Sequence, residues 1–417
     1  MIFSMAWRNM LRYKRRSLIT ASAIAAGILF SIYADGLLTG LDRESSLNMM
    51  QYETSGAKVY AAGYFPERKT YPADHRITRE QRNSFSKWLE TAFPSVSATP
   101  RYSAVCELVF STADGLTGSL NGLLYGIEPE SDRRVFDTYR CVETGTWFSS
   151  SDGAVLGSGI AHDLGVSAGD YITVQCRGQG GFIQTMDVPV TGIVRTGNPV
   201  VNETAVYMNL DYLDDMLELD GSVTEFCLNL GTLERQPARF TKFRKAFDAS
   251  GLNGLETYSW QELAQDVIAL QKTKSSISGL MIFFMFVIAA VGVSNTILMS
   301  VAERKNEIGM LKALGYSSRY VKLLFMAEGF FIGVIGCLIG IFAAVPLTWY
   351  MVRYGIDFSG MMNGIDIGYR VSLVMHSCWH AAGFIFIPLG ALLVASGSAL
   401  IPTHRLLAKE IAAVFRS

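Results

Sequence analysis

The sequence predicts a polytopic α-helical membrane protein with four transmembrane helices and a large α+β extracytoplasmic domain between the first two. Half of the 417 residues are hydrophobic and 18% are charged. This composition is too apolar for an ordinary soluble enzyme and too charged for a chain lying wholly in lipid. The apolar residues are concentrated in four runs, each near the roughly 20 residues that a bilayer core requires.

The four predicted spans cover residues 17–38, 276–301, 322–350 and 373–401. Asp35 lies near the outer end of the first span and Glu328 near the start of the third, so neither charge sits at mid-depth. An alternative makes residues 1–38 a cleaved signal peptide. The long apolar run has no small-x-small site at its far end, which favours a retained anchor.

Basic residues predict the orientation, because cytoplasmic loops carry an excess of lysine and arginine. The short loop 351–372 has as many acids as bases, so it is expected outside. Both termini and the segment 302–321 are expected in the cytoplasm, and residues 40–270 outside. The basic residues that indicate this are Arg8, Arg12, Lys14, Arg15 and Arg16 before the first span, Arg304, Lys305, Lys312, Arg319 and Lys322 before the third, and Arg405, Lys409 and Arg416 after the fourth.

The region between the first two spans contains two strand–helix–strand sets, one near each end. The first helix is expected from Thr78 to about Ala92 and the second over 237–248. Two such sets predict a ferredoxin-like layer. The residues between them, 125–220, read as a separate β-rich lobe with glycine-containing turns.

The second span is expected to begin outside the membrane. Ser259 and Glu262 have capping-box spacing, and no proline intervenes before the apolar run. A continuous stalk helix is the simplest consequence. A short helix with a bend near Ser275 and Ser276 is the alternative.

Two common catalytic motifs are missing from the sequence. No Gly-Lys dipeptide occurs in the chain, which excludes a Walker A loop, and H-E-x-x-H is also absent. His376 and His380 have i, i+4 spacing without an evident third metal ligand, so we interpret them as polar interfacial residues. We interpret His162 as a solvated helix residue.

The cysteines follow no metal-binding or redox motif. Four of them fall in the external domain, where a disulfide is possible, although free, buried thiols are the favoured interpretation. The six are Cys106, Cys141, Cys176, Cys227, Cys337 and Cys378.

The third span carries glycines at four-residue and three-residue spacing, which allows close helix packing in lipid. Packing within the subunit and a dimer interface both remain open. The glycines are Gly329, Gly333, Gly336 and Gly340.

Residues 301–315 form a charged, helix-forming segment between two apolar runs. Ile308, Leu311 and Leu314 make an apolar stripe within a charged rim, as expected for a helix that lies in the groove of a partner protein. Gly315 is placed to end the helix in the left-handed conformation. A helix resting on the membrane surface would carry fewer acids.

This segment resembles the signature of the FtsX-type ABC transporter permeases, which include macrolide-exporter (MacB), cell-division (FtsX) and lipoprotein-releasing (LolC/LolE) members. The similarity covers Glu303–Gly315, Glu328-Gly329 and the glycines of the third span. The start of the chain (Met5 to Arg12) and residues 155–174 are also similar to the family. Asn306 stands where the family often has a basic residue, and the chain's end lacks the usual proline and glutamate.

The resemblance implies a non-catalytic permease subunit in the bacterial inner membrane, with its large domain in the periplasm. A separate cytoplasmic ATPase would bind ATP and Mg, and this chain would carry no cofactor. A second permease subunit would complete a homo- or heterodimer. The lipoprotein-releasing branch is favoured, which implies a lipoprotein client and a periplasmic carrier; peptide or drug efflux, and a scaffold for a cell-wall hydrolase, are the alternatives. The residues implied in coupling to the ATPase are Glu303, Arg304, Glu307, Ile308, Gly309, Leu311, Lys312 and Gly315.

The predicted organisation follows from these assignments. It comprises 1–40 (amphipathic N-terminal helix and first span), 41–258 (external domain, ferredoxin-like over 57–124 and 221–258 and β-rich over 125–220), 259–301 (stalk and second span), 302–321 (coupling helix), 322–350 (third span), 351–372 (external loop), 373–401 (fourth span) and 402–417 (cytoplasmic tail).

Overall fold

The computed structural model describes residues 2–68, 75–111, 117–148, 152–178, 181–357 and 374–404. The described residues form two compact units. A helical unit contains 2–42, 270–357 and 374–404, and a sheet unit contains 43–269. Most of the predicted loop 351–372 and of the predicted tail 402–417 lies outside the described residues.

The helices, in chain order, are α1 (Ile2–Arg12), α2 (Lys14–Met49), α3 (Tyr64–Glu67), α4 (Arg79–Ala92), α5 (Pro129–Asp132), α6 (Ser158–Leu164), α7 (Pro199–Thr204), α8 (Leu210–Leu217), α9 (Gln236–Asp248), α10 (Trp260–Leu263), α11 (Gln265–Glu303), α12 (Lys305–Ala313), α13 (Ser318–Tyr354) and α14 (Ala381–Ser398). The strands are β1 (Ala57–Ala61), β2 (Ser97–Ser111), β3 (Thr117–Ile127), β4 (Val142–Gly145), β5 (Ala154–Gly157), β6 (Tyr171–Arg177), β7 (Ile183–Val194), β8 (Ala205–Asn209), β9 (Glu225–Asn229), β10 (Leu255–Ser259), β11 (Ile356–Asp357) and β12 (Val374–Met375). A π-helical segment, Met50–Thr54, follows α2, and a 3-10 turn, Thr138–Cys141, precedes β4.

Four described helices, α2, α11, α13 and α14, are long and apolar enough to cross a bilayer. They correspond to the four predicted spans, but the fourth was predicted to begin too early. The helix begins at Ala381 because Val374 and Met375 pair instead with β11. The intervening five residues include His376 and His380, whose polar rings suit the end of a span better than its interior.

The glycines of α13 pack within the helical unit. Cβ atoms built at Gly336 and Gly340 would lie 2.9 Å from the carbonyl oxygens of Ala21 and Ala25 on α2, and one at Gly329 would lie 2.7 Å from that of Ala395 on α14. Gly333 meets Ala395 and Leu392 of the same helix. Of the two interpretations, this contact supports packing inside the subunit, because the glycine surfaces are already filled.

The first part of the sheet unit has the ferredoxin-like strand order. The strands run β10-β1-β9-β2, all antiparallel. Helices α4 and α9 cover them through Phe85, Leu89, Phe243 and Phe247, which join the same buried cluster. Thr78 is the N-cap, as predicted, and Gln81 completes a capping box with it.

The predicted β-rich lobe is not a separate sheet, because one sheet continues through both parts. The long strand β2 pairs with β9 through residues 97–101 and with β3 through 101–111. The sheet then continues β3-β8-β5-β7, and β6 pairs with both β7 and β2. These six strands therefore close into a barrel, which removes the exposed edges that an open lobe would have.

The stalk differs from the prediction because it is interrupted once, between α10 and α11. Ser259 and Glu262 form the expected capping box, but α10 ends at Leu263. Ala264 has φ −96° and ψ 25°, and α11 then runs from Gln265 to Glu303 without a break at Ser275 or Ser276. The interruption thus lies eleven residues before the bend considered from sequence.

A buried ion pair lies where β2 passes from the ferredoxin-like part into the barrel. Arg101 donates to both carboxylate oxygens of Asp132, at 2.8 and 3.0 Å, and both side chains are 1% exposed. The ring of Phe136 lies 3.5 Å from the guanidinium carbon. The guanidinium of Arg101 therefore has its hydrogen bonds made by Asp132 and its flat face packed against the ring of Phe136.

We expect Asp132→Ala to lower the free energy of unfolding by about 3–5 kcal/mol, because Arg101 would remain buried without its counter-charge. Glu143→Ala is the matched control. Its partner Arg195 lies 2.9 Å away, but the two side chains are 44% and 65% exposed, so the loss should stay within about 1 kcal/mol. Urea unfolding of the full chain in lipid nanodiscs measures both; equal losses would contradict the assignment.

Candidate functional site: the α12 segment

Helix α12 is a short helix between the two longest apolar helices. Gly315 has φ +87°, the left-handed conformation predicted for it. Its amide donates to the Lys312 carbonyl at 3.0 Å, and the Tyr316 amide donates to the Leu311 carbonyl at 3.1 Å. This Schellman pair of bonds ends the helix. Ser317 then caps α13 by accepting from the Tyr320 amide.

The segment is attached to α13 through a buried ion pair. Arg304 Nη1 lies 2.7 Å from Glu328 Oε1, and each side chain is 6% exposed. Arg304 Nε donates to Glu307 at 2.7 Å, and Asn9 of α1 donates to the same Glu328 oxygen at 2.8 Å. One carboxylate on α13 therefore holds both the start of α12 and the N-terminal helix.

Ion pairing offsets the cost of burying Arg304. Burial disfavours the charged guanidinium of Arg304, but its bonds to Glu307 and Glu328 outweigh that cost and raise its pKa. The hydrogen bond from Arg304 lowers the pKa of Glu307. Two further pairs, Arg12–Glu307 at 3.2 Å and Arg16–Glu303 at 3.4 Å, are more exposed and contribute less.

The apolar face of α12 differs from the predicted stripe. Ile308 is 3% exposed and packs into the bundle with Val301, Val321 and Phe325. Leu311 is half-buried. The apolar side chains that face outward are Met310, 66% exposed, and Leu314, 71% exposed.

By exposure, the predicted coupling residues fall into three groups. Glu303, Gly309 and Gly315 are exposed, and nothing lies within 4 Å of a Cβ built at Gly309. Lys312 is half-buried and donates to Ser318 at 2.7 Å. Arg304 and Ile308 are buried, so they position the helix and are not on the face open to a partner.

Sequence reasoning missed Met310, Asn9 and the partnership of Glu328. The i, i+4 spacing of Met310 and Leu314 was available as a signal for a second apolar face. A lone carboxylate at the start of an apolar span also indicates a buried partner. Neither signal identifies Asn9, since its contact depends on how α1 lies against α13.

Among the described residues, no group of three or more His, Cys, Asp or Glu side chains could hold a metal ion. His162 is exposed and lies beside Asp163. His376 and His380 are not on a helix, and His380 Nδ1 lies 2.6 Å from Asp35 Oδ2. All six cysteines are free in the structure.

Comparison with known proteins assigns the last third of the chain. Residues 279–411 match the family described as FtsX-like permease C-terminal. An uncharacterised ABC transporter permease of Methanocaldococcus jannaschii, MJ1507, is 23% identical over 83% of each chain. The lipoprotein-releasing system transmembrane protein LolE of Haemophilus influenzae is 25% identical over 85% of each chain.

A third relative has, by its name, both an ATP-binding part and a permease part. The macrolide export ATP-binding/permease protein MacB of Neisseria gonorrhoeae is 22% identical over 85% of this chain, which spans 54% of the relative's length. These three matches extend beyond residues 279–411 into the sheet unit. Residues 279–411 therefore match the FtsX-like permease C-terminal domain, and the chain as a whole is similar to ABC transporter permeases.

Proposed function

We propose that this chain is the membrane subunit of a transporter that uses a separate ATPase to release lipoproteins from the bacterial inner membrane. The observation that carries the proposal is the attachment of α12 to the spans through Arg304 and Glu328, at 2.7 Å. A short helix held so firmly, with Met310 and Leu314 exposed, is suited to receive a partner's force.

The orientation follows from charge. The basic residues around α1 and α12 favour a cytoplasmic position for both termini and the α12 segment by the positive-inside rule. Residues 41–258 then lie in the periplasm. The ATPase, which binds ATP and Mg, would dock on the outward face of α12.

The docking surface combines apolar and charged groups. Met310 and Leu314 lie one helical turn apart, and Gly309 leaves open space beside them. Glu303 and Lys305 supply exposed charges of both signs. An apolar pair with a mixed-charge rim fits a groove on a soluble protein better than an anionic membrane surface, which selects for basic excess.

A second permease subunit, identical or different, would complete the membrane part. The surfaces beside the α13 glycines are occupied by α2 and α14 of the same chain. We therefore assign the contact with the second subunit to α11. Only 6% of its most apolar window is buried, against 33–44% for the other three spans. Asn295 is exposed on this helix, and a polar side chain facing lipid is costly unless a partner covers it.

Lipoprotein is the favoured client because similarity to LolE extends over 85% of both chains. Peptide or macrolide efflux is the second candidate, favoured by the similarity to MacB over the same share of this chain. In either case two helices, α2 and α11, contain residues of both units. Motion of α12 would reach the periplasmic domain along them, and no solute channel is required.

Gly309→Trp should abolish client-stimulated ATP hydrolysis while the protein still inserts into the membrane. The position is open within the chain, so a bulky ring would disturb the docked ATPase and not the fold. Gly309→Ala is the matched control and should keep coupling, because a methyl fits the same space. ATPase assays of the reconstituted complex measure both; full coupling in Gly309→Trp would show that this face is not the contact.

Glu328→Met should destabilise the full chain by about 3–5 kcal/mol and reduce coupled ATP hydrolysis, because Arg304 is left buried without its partner. The double variant Arg304→Met with Glu328→Met should recover most of the stability, since an apolar pair replaces a buried ion pair. Thermal unfolding in nanodiscs gives the comparison. A double variant as unstable as the two single losses combined would contradict this role.

Depletion of the protein should leave lipoproteins in the inner membrane. Density-gradient fractionation of the two membranes, with labelled lipoproteins, measures the redistribution. An integral outer-membrane protein serves as the control and should not move. Unchanged lipoprotein distribution, together with new sensitivity to macrolides, would favour the efflux candidate instead.

A further inference from the structure

The barrel of the sheet unit closes at a short seam. Strands β2 and β3 pair over eleven residues and β6 and β7 over seven, whereas β2 and β6 share only four pairs. These four pairs, from Cys106 to Val109, turn the open sheet into a closed one. The seam is one of the three shortest strand pairings around the barrel, beside β5–β8 with three pairs and β5–β7 with four.

Two cysteines face each other at the end of this seam. Cys106 of β2 is directly opposite Cys176 of β6. Directly opposed residues of antiparallel strands project to the same face, with Cα atoms about 4.5 or 5.5 Å apart depending on the kind of pair. Both distances fall within the roughly 4.4–6.8 Å that a disulfide spans.

Both side chains point into the barrel. Cys106 is 1% and Cys176 3% exposed, and both belong to the buried apolar cluster. A Cβ built at Gly122 would lie 3.2 Å from the Cys106 sulfur, so the reduced thiol occupies space that the glycine leaves. The neighbouring strand thus gives Cys106 a place for its sulfur when it is not bonded to Cys176.

We propose that Cys106 and Cys176 are a cross-strand disulfide site that fastens the closure of the barrel when the chain folds in the presence of a disulfide-bearing thiol oxidant. One cysteine thiolate attacks a sulfur of the oxidant's disulfide, forms a mixed disulfide and releases one oxidant thiolate. The second cysteine thiolate then attacks the sulfur of the first and expels the other oxidant thiolate. The chain loses two protons and two electrons, and the disulfide of the oxidant is reduced to two thiols, which in the case of oxidised glutathione are two glutathione molecules.

The timing of this reaction follows from burial. Burial raises the pKa of the Cys106 thiol to about 12 and that of Cys176 to about 11. The thiolate is therefore nearly absent once the barrel has closed, so the bond forms during folding. After closure it is shielded from reductants in solution.

Cys227 provides a matched control in the same unit. It is also fully buried, but the residues opposite it are Lys58 and Thr99. It is buried like the two paired cysteines, but no cysteine lies opposite it. The labelling of Cys227 therefore reports solvent access after unfolding, not disulfide formation.

The test uses the full chain synthesised cell-free into lipid nanodiscs, in either oxidised or reduced glutathione buffer. The product is denatured in acid, alkylated without reduction, then reduced and labelled with a second alkylating reagent. Cleavage at Tyr171 separates Cys176 from Cys141 for mass spectrometry. In oxidised buffer we expect the first label on Cys106 and Cys176 to be about tenfold lower than on Cys227. In reduced buffer we expect all three cysteines to carry the first label equally.

Equal first labelling of the three cysteines in oxidised buffer would overturn the proposal. Cys106→Ser should restore first labelling of Cys176, whereas Cys227→Ser should change neither member of the pair. Continued protection of Cys176 in Cys106→Ser would also overturn it, because the protection would not come from Cys106.

The same labelling in bacterial cells tests the compartment separately. Bridging in cells rests on the proposed periplasmic placement of the sheet unit, since the cytoplasm keeps thiols reduced. A pair that bridges in nanodiscs but not in cells would leave the site standing and contradict the placement.

Discussion

The carboxylate of Glu328 is the constraint on which the helical unit depends. It lies on an apolar helix and is 4% exposed, so an ionised group there must be satisfied by donors from elsewhere in the chain. Arg304 supplies a charge from the start of α12, and Asn9 supplies an amide from α1. Three elements distant in sequence are thereby brought to one atom.

The glycines of α13 extend this constraint to the rest of the bundle. Gly336 and Gly340 allow α2 to approach, and Gly329 and Gly333 allow α14. A helix with small residues on two faces packs against both neighbours through direct backbone contact. A displacement of α12 would therefore act on α13 and on the two helices packed against it, not on an isolated loop.

An analogous junction in the sheet unit is Arg101. It is the one residue of β2 whose pairing includes both Glu225 of β9 and Ile127 of β3. Its side chain is fixed by Asp132, which follows β3 on α5. The ferredoxin-like part and the barrel thus share a strand at a point where a buried ion pair fixes the geometry. Their relative arrangement inside the unit is set by covalent continuity and not by a flexible linker.

The sequence predicted the features that depend on local chemistry. Apolar length located the four spans, and the N-cap at Thr78, the capping box at Ser259 and the helix end at Gly315 follow from nearby residues alone. The errors concern partners distant in the chain. Nothing near β6 in the sequence reveals that it pairs with β2. Helical spacing also does not show which of two apolar faces packs into the bundle, so Ile308 rather than Met310 could not be predicted as the buried residue.

The same reasoning limits what α12 can do in the proposed transporter. Coupling between two sites is reciprocal. If binding of the ATPase shifts α12, then a client that shifts α12 in the same direction must raise the affinity of the ATPase by the factor by which the ATPase raises the affinity of the client. Arg304 and Glu328 make this exchange efficient, since a helix attached by a buried pair cannot absorb the change by moving alone. In that proposal, exposed Met310 and Leu314 would bind the ATPase on one side of the helix, while the buried pair holds the other side to the spans.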